Sequence, residues 1–307
     1  MPVTVDGPAG EPVDTAWLLL PATEDAPDGT AVVDLASTSG IELLGELRPF
    51  DADSTGFGQA IAAALDHGVS RLIVGIGSSA STDGGTGMLR ALGARFTDAA
   101  GAAVPRGARG LNTIAQADLR GLRPAPETLV LTDVTNPLTG PRGAAEVFGP
   151  QKGLTNAADR ARADAGLAAL AALLGLDPAT PGAGAAGGVG GALVAWSARL
   201  LPGASEVARL IGLAEAIADA DLVITGEGSY DGQSGDGKVP SFVAGVAADA
   251  GVPAAVVAGR IAADADRSLF AASVSLTELS GSADSAMADT ARWLRAAGAE
   301  LARGFVH

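Results

Sequence analysis

The chain has no cysteine, two histidines and two lysines among 307 residues. Without cysteine there is no disulfide frame, no thiolate nucleophile and no soft-metal set. The histidines stand apart: His67 precedes a helix-ending glycine, where a cation suits the helix dipole, and His307 is the last residue. By elimination, a general base has to be a carboxylate, and a bound metal has to be a hard, oxygen-ligated ion such as Mg²⁺. Aromatic residues are only 4%, so the core is built from Ala, Val, Leu and Ile. Positive charge is also scarce: 20 basic against 35 acidic residues give a net charge of −15. This argues against partners such as nucleic acid or an anionic membrane, and it leaves any anionic ligand to a local basic or backbone site. The N-terminus has neither a basic nor an apolar leader region, which fits a cytoplasmic protein. The longest uncharged run, Pro178–Ala198, approaches the length of a membrane span, but six of the ten residues from Gly182 to Gly191 are glycine. We read it as a glycine loop feeding a buried helix, with a transmembrane segment a remote alternative.

What remains alternates between apolar runs and amphipathic stretches. Ala31–Ala36, Arg71–Ile76, Thr128–Leu131, Leu222–Thr225, Ala254–Ala258 and Ser273–Leu276 read as strands. Phe57–Leu65, Thr86–Gly93, Asn156–Leu174, Leu193–Leu200, Glu206–Ala218, Phe242–Ala250 and Ser285–Leu301 read as helices, the last with Trp293 and Leu294 facing inward. This alternation predicts an α/β fold with parallel sheets in two domains. A boundary is expected near Leu213, with residues 1–212 a mixed α/β domain and 213–307 a second α/β domain.

Both lysines, Lys152 and Lys238, lie in glycine-punctuated segments, whereas the remaining basic residues are arginines spread along the chain. A compact ammonium on a flexible stem suits a phosphate as a point charge. Three further segments carry polar chemistry. In Gly75–Gly85 a turn that follows a strand and opens a helix carries Ser78, Ser79, Ser81 and Asp83, an arrangement suited to an anion, with Asp83 a proton acceptor or a helix cap. In Thr132–Gly143, Asp133 sits at the carboxyl end of a strand, able to bind Mg²⁺ or a hydroxyl or simply to make a turn with Asn136-Pro137; Arg142, Gln151 and Lys152 follow. In Thr225–Ser234 two carboxylates, Glu227 and Asp231, lie with Ser229, Tyr230 and Gln233 at the end of a strand. Neither a Gly-x-x-x-x-Gly-Lys-Ser/Thr loop nor a clean Gly-x-Gly-x-x-Gly fingerprint is present. Carboxylates, lysines and anion-binding glycine turns form the inventory of phosphoryl transfer.

Five segments, in order, resemble the bacterial-type glycerate kinase family: GPAGEPV (7–13), GIGSSASTDGGTGMLRALGARF (75–96), DVTNPLTGPRGAAEVFGPQKG (133–153), GAGAAGGVGGAL (182–193) and DLVITGEGSYDGQSGDGKVP (221–240). The resemblance implies an ATP- and Mg²⁺-dependent kinase acting on D-glycerate. It also implies a Rossmann-like domain and a mixed α/β middle domain, with a cleft between them. The family's N-terminal Asp-Ser-Phe-Lys segment has no counterpart here, so the Rossmann-like domain is expected to lack its N-terminal part, and the sheet edge left open favours homo-oligomers. The alternative is a homologue that binds a small hydroxy acid without turnover. Ser78 stands where the family frequently has glycine. On residue chemistry, Ser78, Ser79, Ser81, Asn136, Arg142 and Lys152 are candidates to hold substrate. Gly226, Glu227, Gly228, Ser229 and Gln233 are candidates for the nucleotide, and Asp133 and Glu227 for the metal. Asp231 or Asp83 would accept the proton, and Lys238 would act on the phosphates. A dehydrogenase or a non-enzymatic scaffold fits these clusters less well.

Overall fold

The computed structural model describes residues 1–231 and 239–305. The chain divides into two compact units, Met1–Gly203 and Ala204–His307, so the division falls ahead of Leu213. The chain stays with the first unit as far as Gly203 because the Gly203 N–H donates to Asp133 Oδ1 at 3.0 Å.

The first unit is built on a five-stranded sheet, ordered Leu18–Leu20, Thr30–Asp34, Arg71–Gly75, Glu127–Leu131, Arg199–Leu201. Only the first pairing is antiparallel. Val33, Val74 and Val130 lie opposite one another across three adjacent strands and are fully buried, as expected where both faces of a parallel sheet are covered. The register also brings the carboxyl ends level: Asp34, Gly75, Leu131 and Leu201 are the last paired residues. The turns that follow these strands therefore open along one rim.

The helix Thr55–His67 buries Phe57, Ala60, Ile61 and Ala64, spaced for one face, and ends at Gly68 in the left-handed region. It packs on the helix Thr86–Ala91 so closely that a Cβ on Gly58 would lie 2.5 Å from the Met88 carbonyl oxygen. The long helix Ala157–Leu174 begins at Asn156, whose side chain accepts from the Asp159 N–H at 2.8 Å. An N-terminal hairpin, Pro2–Asp6 with Pro12–Ala16, carries the first family-like segment in its turn.

The second unit holds a three-stranded parallel sheet, ordered Val223–Tyr230, Ala254–Ile261, Ala272–Ser275. The helix Val239–Asp249 packs on the first two strands, and the helix Thr290–Phe305 packs against the last two.

Three predicted helices differ from those found. The helix expected over Leu193–Leu200 is a helix Val189–Ala195 followed by a strand Arg199–Leu201, broken at Ser197, which has φ +70°. The one expected over Glu206–Ala218 is two helices, Gly203–Leu210 and Leu213–Ala218, separated by left-handed Gly212. The terminal helix is preceded by a separate short helix, Ala283–Ala288. On the terminal helix Leu294 is 50% exposed, so only Trp293 of the expected pair packs inward. No described helix is long and apolar enough to cross a membrane.

Candidate functional site

Along the rim where the strands of the first unit end lies a pocket of about 380 Å³. Ligand sites typically span roughly 300–1,000 Å³, and in α/β sheets they lie beyond the carboxyl ends of the strands. Ile76–Ser79 follow one strand, Leu131–Val134 extend the next, and Gly203 comes after the edge strand. Phe148 ends the helix Ala144–Phe148, Gln151 and Lys152 follow it, and Ala185 and Ala186 come from the glycine segment.

Lys152 is the unusual member. It ends a one-turn 3₁₀ helix, Pro150–Lys152, started by proline and stopped by left-handed Gly153, and this turn aims the side chain inward. It is 3% exposed. Its Nζ donates to Ser79 Oγ at 2.5 Å and to the Ser81 carbonyl at 2.6 Å. Among the described residues no carboxylate forms an ion pair with it. Burial therefore pushes its ammonium down to about 7, against the opposing pull of the Asp83 charge.

Asp83 faces away from this pocket. It is fully buried, and its two oxygens accept from the Ser54 N–H and Oγ, the Ser81 Oγ, and the Gly85 and Gly87 N–H groups. Those amides belong to the beginnings of the helices Thr55–His67 and Thr86–Ala91, so one carboxylate neutralises two helix N-termini. With its lone pairs taken by inward donors, Asp83 is the cap of the sequence reading and has no oxygen free to accept a proton from a ligand. Ser81, 1% exposed, also points inward at Asp83, so it serves the site through its carbonyl rather than its hydroxyl. Beside it, burial first and the Asp83 charge second hold the Asp53 carboxyl above its ordinary range.

Of the expected substrate residues, Ser78, Ser79 and Lys152 do line the pocket. Asn136 and Arg142 do not: Asn136 Nδ2 donates to the Arg142 carbonyl at 2.8 Å, closing a local turn, and the Arg142 side chain is exposed. Phe148, Gly203 and the Ala185–Ala186 pair line the pocket unforeseen. Reading Leu193–Leu200 as a helix hid the edge strand that delivers Gly203.

Backbone strain gathers here as well. Ser78 has φ +56° and Ala186 φ +54°, two of the three non-glycine residues with positive φ among those described, and both line the pocket. Each costs about 1–2 kcal/mol, and such strain concentrates at functional sites. It also accounts for the resemblance placing glycine where Ser78 stands. Gly187, with φ +67°, is required by close approach: a Cβ there would lie 2.1 Å from the Ser81 oxygen that receives the Lys152 N–H. Gly187→Ala is expected to cost about 3 kcal/mol in urea unfolding; a loss under about 0.5 kcal/mol would contradict the packing described.

In the second unit the sequence Thr225–Tyr230 is strand rather than loop. The strand runs Val223–Tyr230, in parallel register to Ile261. Its glycines permit close contact: a Cβ on Gly226 would lie 2.3 Å from the Val257 oxygen. Gly226, Glu227 and Gly228 line a groove of about 510 Å³ with Val257, Gly259 and Leu294. Glu227 Oε1 is buried with no hydrogen-bond partner among the described residues. Ser229 follows on the same strand, accepting from Arg260 at 3.4 Å. Asp231 follows that strand, while Gln233 and Lys238 lie outside the described residues.

The donor set can be compared with what Mg²⁺ needs. Mg²⁺ keeps several waters and takes one or two carboxylates together with substrate phosphates. Among the described residues no group of three or more His, Cys, Asp or Glu could form a closed cage. Asp133 is an exposed carboxylate in the pocket, with Oδ1 on the Gly203 N–H. Glu227 offers, in the second unit, an oxygen with no hydrogen-bond partner among the described residues. Each, within its own unit, offers a carboxylate oxygen of the kind that a magnesium ion carried in on phosphates takes.

A sequence model described as the glycerate kinase family matches residues 1–306. A protein named glycerate 2-kinase from Escherichia coli is 40% identical over 85% of this chain and 70% of its own length. One named glycerate kinase from Bacillus subtilis is 38% identical, with the same coverage. A crystal structure from Salmonella typhimurium LT2, provisionally described as glycerate kinase 2, superposes with a TM-score of 0.77 at 38% identity, covering 99% of this chain and 83% of that one. With the α/β architecture and the rim pocket in place, these matches show that the chain belongs to the glycerate kinase family.

Proposed function

We propose that the protein is a kinase that moves the γ-phosphoryl group of ATP, brought with Mg²⁺, to a hydroxyl of D-glycerate. The observation that carries this reading is the rim pocket, which combines serine hydroxyls, a buried lysine and an exposed carboxylate in a chain of this family. The Ser78 and Ser79 hydroxyls and the Gln151 amide hold the carboxylate and hydroxyls of the small acid. These donors bind the anion locally, against the field of a protein of net charge −15. Asp133, exposed in the pocket, would hold the magnesium that accompanies the phosphates. Gly226, Glu227, Gly228 and Ser229, with Gln233, contact the nucleotide, and Lys238 neutralises phosphate charge. Magnesium supplies neutralisation of the developing phosphate charge; the chain's own residues position the reacting oxygen. The acceptor is the 2-hydroxyl, following the name of the Escherichia coli relative.

The test mixes purified protein with D-glycerate, ATP and Mg²⁺ and follows ADP. Glycerate-dependent ADP is expected, with a product that enolase consumes directly without a mutase. Absence of glycerate-dependent ADP would end the kinase reading. A product that enolase accepts only after mutase treatment would move the acceptor to the 3-hydroxyl.

A further inference from the structure

We propose, on the basis of the kinase reading, that Lys152, acting through the Ser79 hydroxyl, takes up the proton that the substrate hydroxyl releases during phosphoryl transfer. Three observations carry this. Ser79 lines the pocket while its Oγ lies 2.5 Å from Lys152 Nζ, so one residue both borders the ligand space and holds the amine. Nζ is anchored from the other side by the Ser81 carbonyl at 2.6 Å, an acceptor in either charge state. Nothing among the described residues pairs with it as a carboxylate partner, so its charge is not locked on.

The Ser79 contact survives a change of charge. The hydroxyl oxygen accepts an N–H from the ammonium, or the hydroxyl donates its own proton to the lone pair of the amine. The charged groups that share these surroundings are Asp83, from the turn carrying Ser79, and Asp133, past the strand Glu127–Leu131; the glycine segment 182–191 contains none. Asp83 is already saturated by five donors. Burial leaves Lys152 titrating at about 7, where a proton acceptor works best near neutral pH. This also gives a reason for a lysine in a chain that otherwise uses arginine. A buried lysine gives up its proton readily, whereas arginine stays charged. The carboxylate expected by elimination from the sequence is thereby replaced by an amine.

The step balances. The substrate O–H bond breaks as its oxygen bonds to the γ-phosphorus, and the bond from phosphorus to the β,γ-bridging oxygen breaks, its electron pair leaving with ADP. Ser79 receives the substrate proton while passing its own to Nζ, and Lys152 ends as an ammonium that returns the proton to solvent after product release.

The experiment uses the scarcity of lysine. Protein labelled with [¹³Cε]lysine should give two lysine signals, and the one missing from Lys152→Met identifies Lys152. Over about pH 5 to about pH 11 its shift should titrate near 7, well below the ordinary value of about 10.4. In parallel, kcat/KM for D-glycerate, which reports the free enzyme, should rise with pH through one ionisation at that same midpoint. Ser79→Ala should lower its plateau about 100-fold and flatten the rise. The proposal falls if Lys152 titrates near its ordinary value, if Ser79→Ala stays within about 3-fold of wild type, or if the rise persists in Ser79→Ala and disappears in Asp231→Asn. Each of these results leaves glycerate-dependent ADP formation by the wild type intact. Loss of ADP formation at every pH in the wild type would instead remove the kinase reading itself, and with it the substrate proton that Lys152 is assigned.

Discussion

Lys152→Met is expected to yield a protein that is more stable than wild type at acid pH and about 10²–10⁴-fold less active. The activity loss follows from removing the proton acceptor while keeping the length of the side chain. The stability gain follows from linkage. Lys152 titrates at about 7 when folded and at roughly 10.4 when unfolded. Below about pH 7 both states hold the proton, and the wild type carries the full penalty of burying an ammonium. Between these values the unfolded chain binds more protons than the folded one, so wild-type stability climbs with pH. The climb totals roughly 4–5 kcal/mol. Methionine has no such dependence, but it leaves the Ser79 hydroxyl and Ser81 carbonyl short of a partner, a cost of about 1–3 kcal/mol. The variant should therefore be ahead by about 1–3 kcal/mol at about pH 6 and lose that lead by about pH 10. Urea unfolding at the two pH values, compared between variant and wild type, measures this. A constant difference would mean that Lys152 titrates alike in both states.

Asp83 shows the opposite pattern. Asp83→Ala is expected to cost about 3–5 kcal/mol, because it strands the buried N–H groups of Ser54, Gly85 and Gly87 and removes the negative charge from two helix N-termini. Asp83→Asn should also destabilise, since one carboxylate oxygen becomes an NH₂ facing donors. Activity lost by these variants should track the folded fraction measured in the same samples. If Asp83→Asn instead folds with wild-type stability and is inactive, Asp83 acts on the substrate and the capping assignment is wrong.

These two residues mark how far the sequence could be read. The strands Arg71–Gly75 and Glu127–Leu131 were legible as uninterrupted apolar runs, and the helix Thr55–His67 from its buried spacing and its closing glycine. Where a local signal was ambiguous, tertiary contacts decided. Gly226 and Gly228 looked like loop residues, yet the strand continues through them, because the partner strand fits against the bare backbone of Gly226 and Tyr230 beyond them is buried, its hydroxyl donating to the Asp266 carbonyl. Leu193–Leu200 had the composition of a helix, but left-handed Ser197 turns the chain into the edge strand. Asn136 and Arg142, adjacent in sequence to site residues, close a turn of their own.

The sequence by itself determined the α/β alternation, the glycine turns at the strand ends and the family, since each is written in local order and residue type. It also identified Lys152 as one of two lysines in an arginine-using chain. Only the tertiary structure decided which way the charges point. Asp83 turns inward onto Ser54, 29 positions away, and Lys152 reaches Ser79 and Ser81 across 73 and 71 positions. Burial and hydrogen-bond partners set both the availability of a carboxylate and the charge of an amine, and partners so distant along the chain leave no local trace in it.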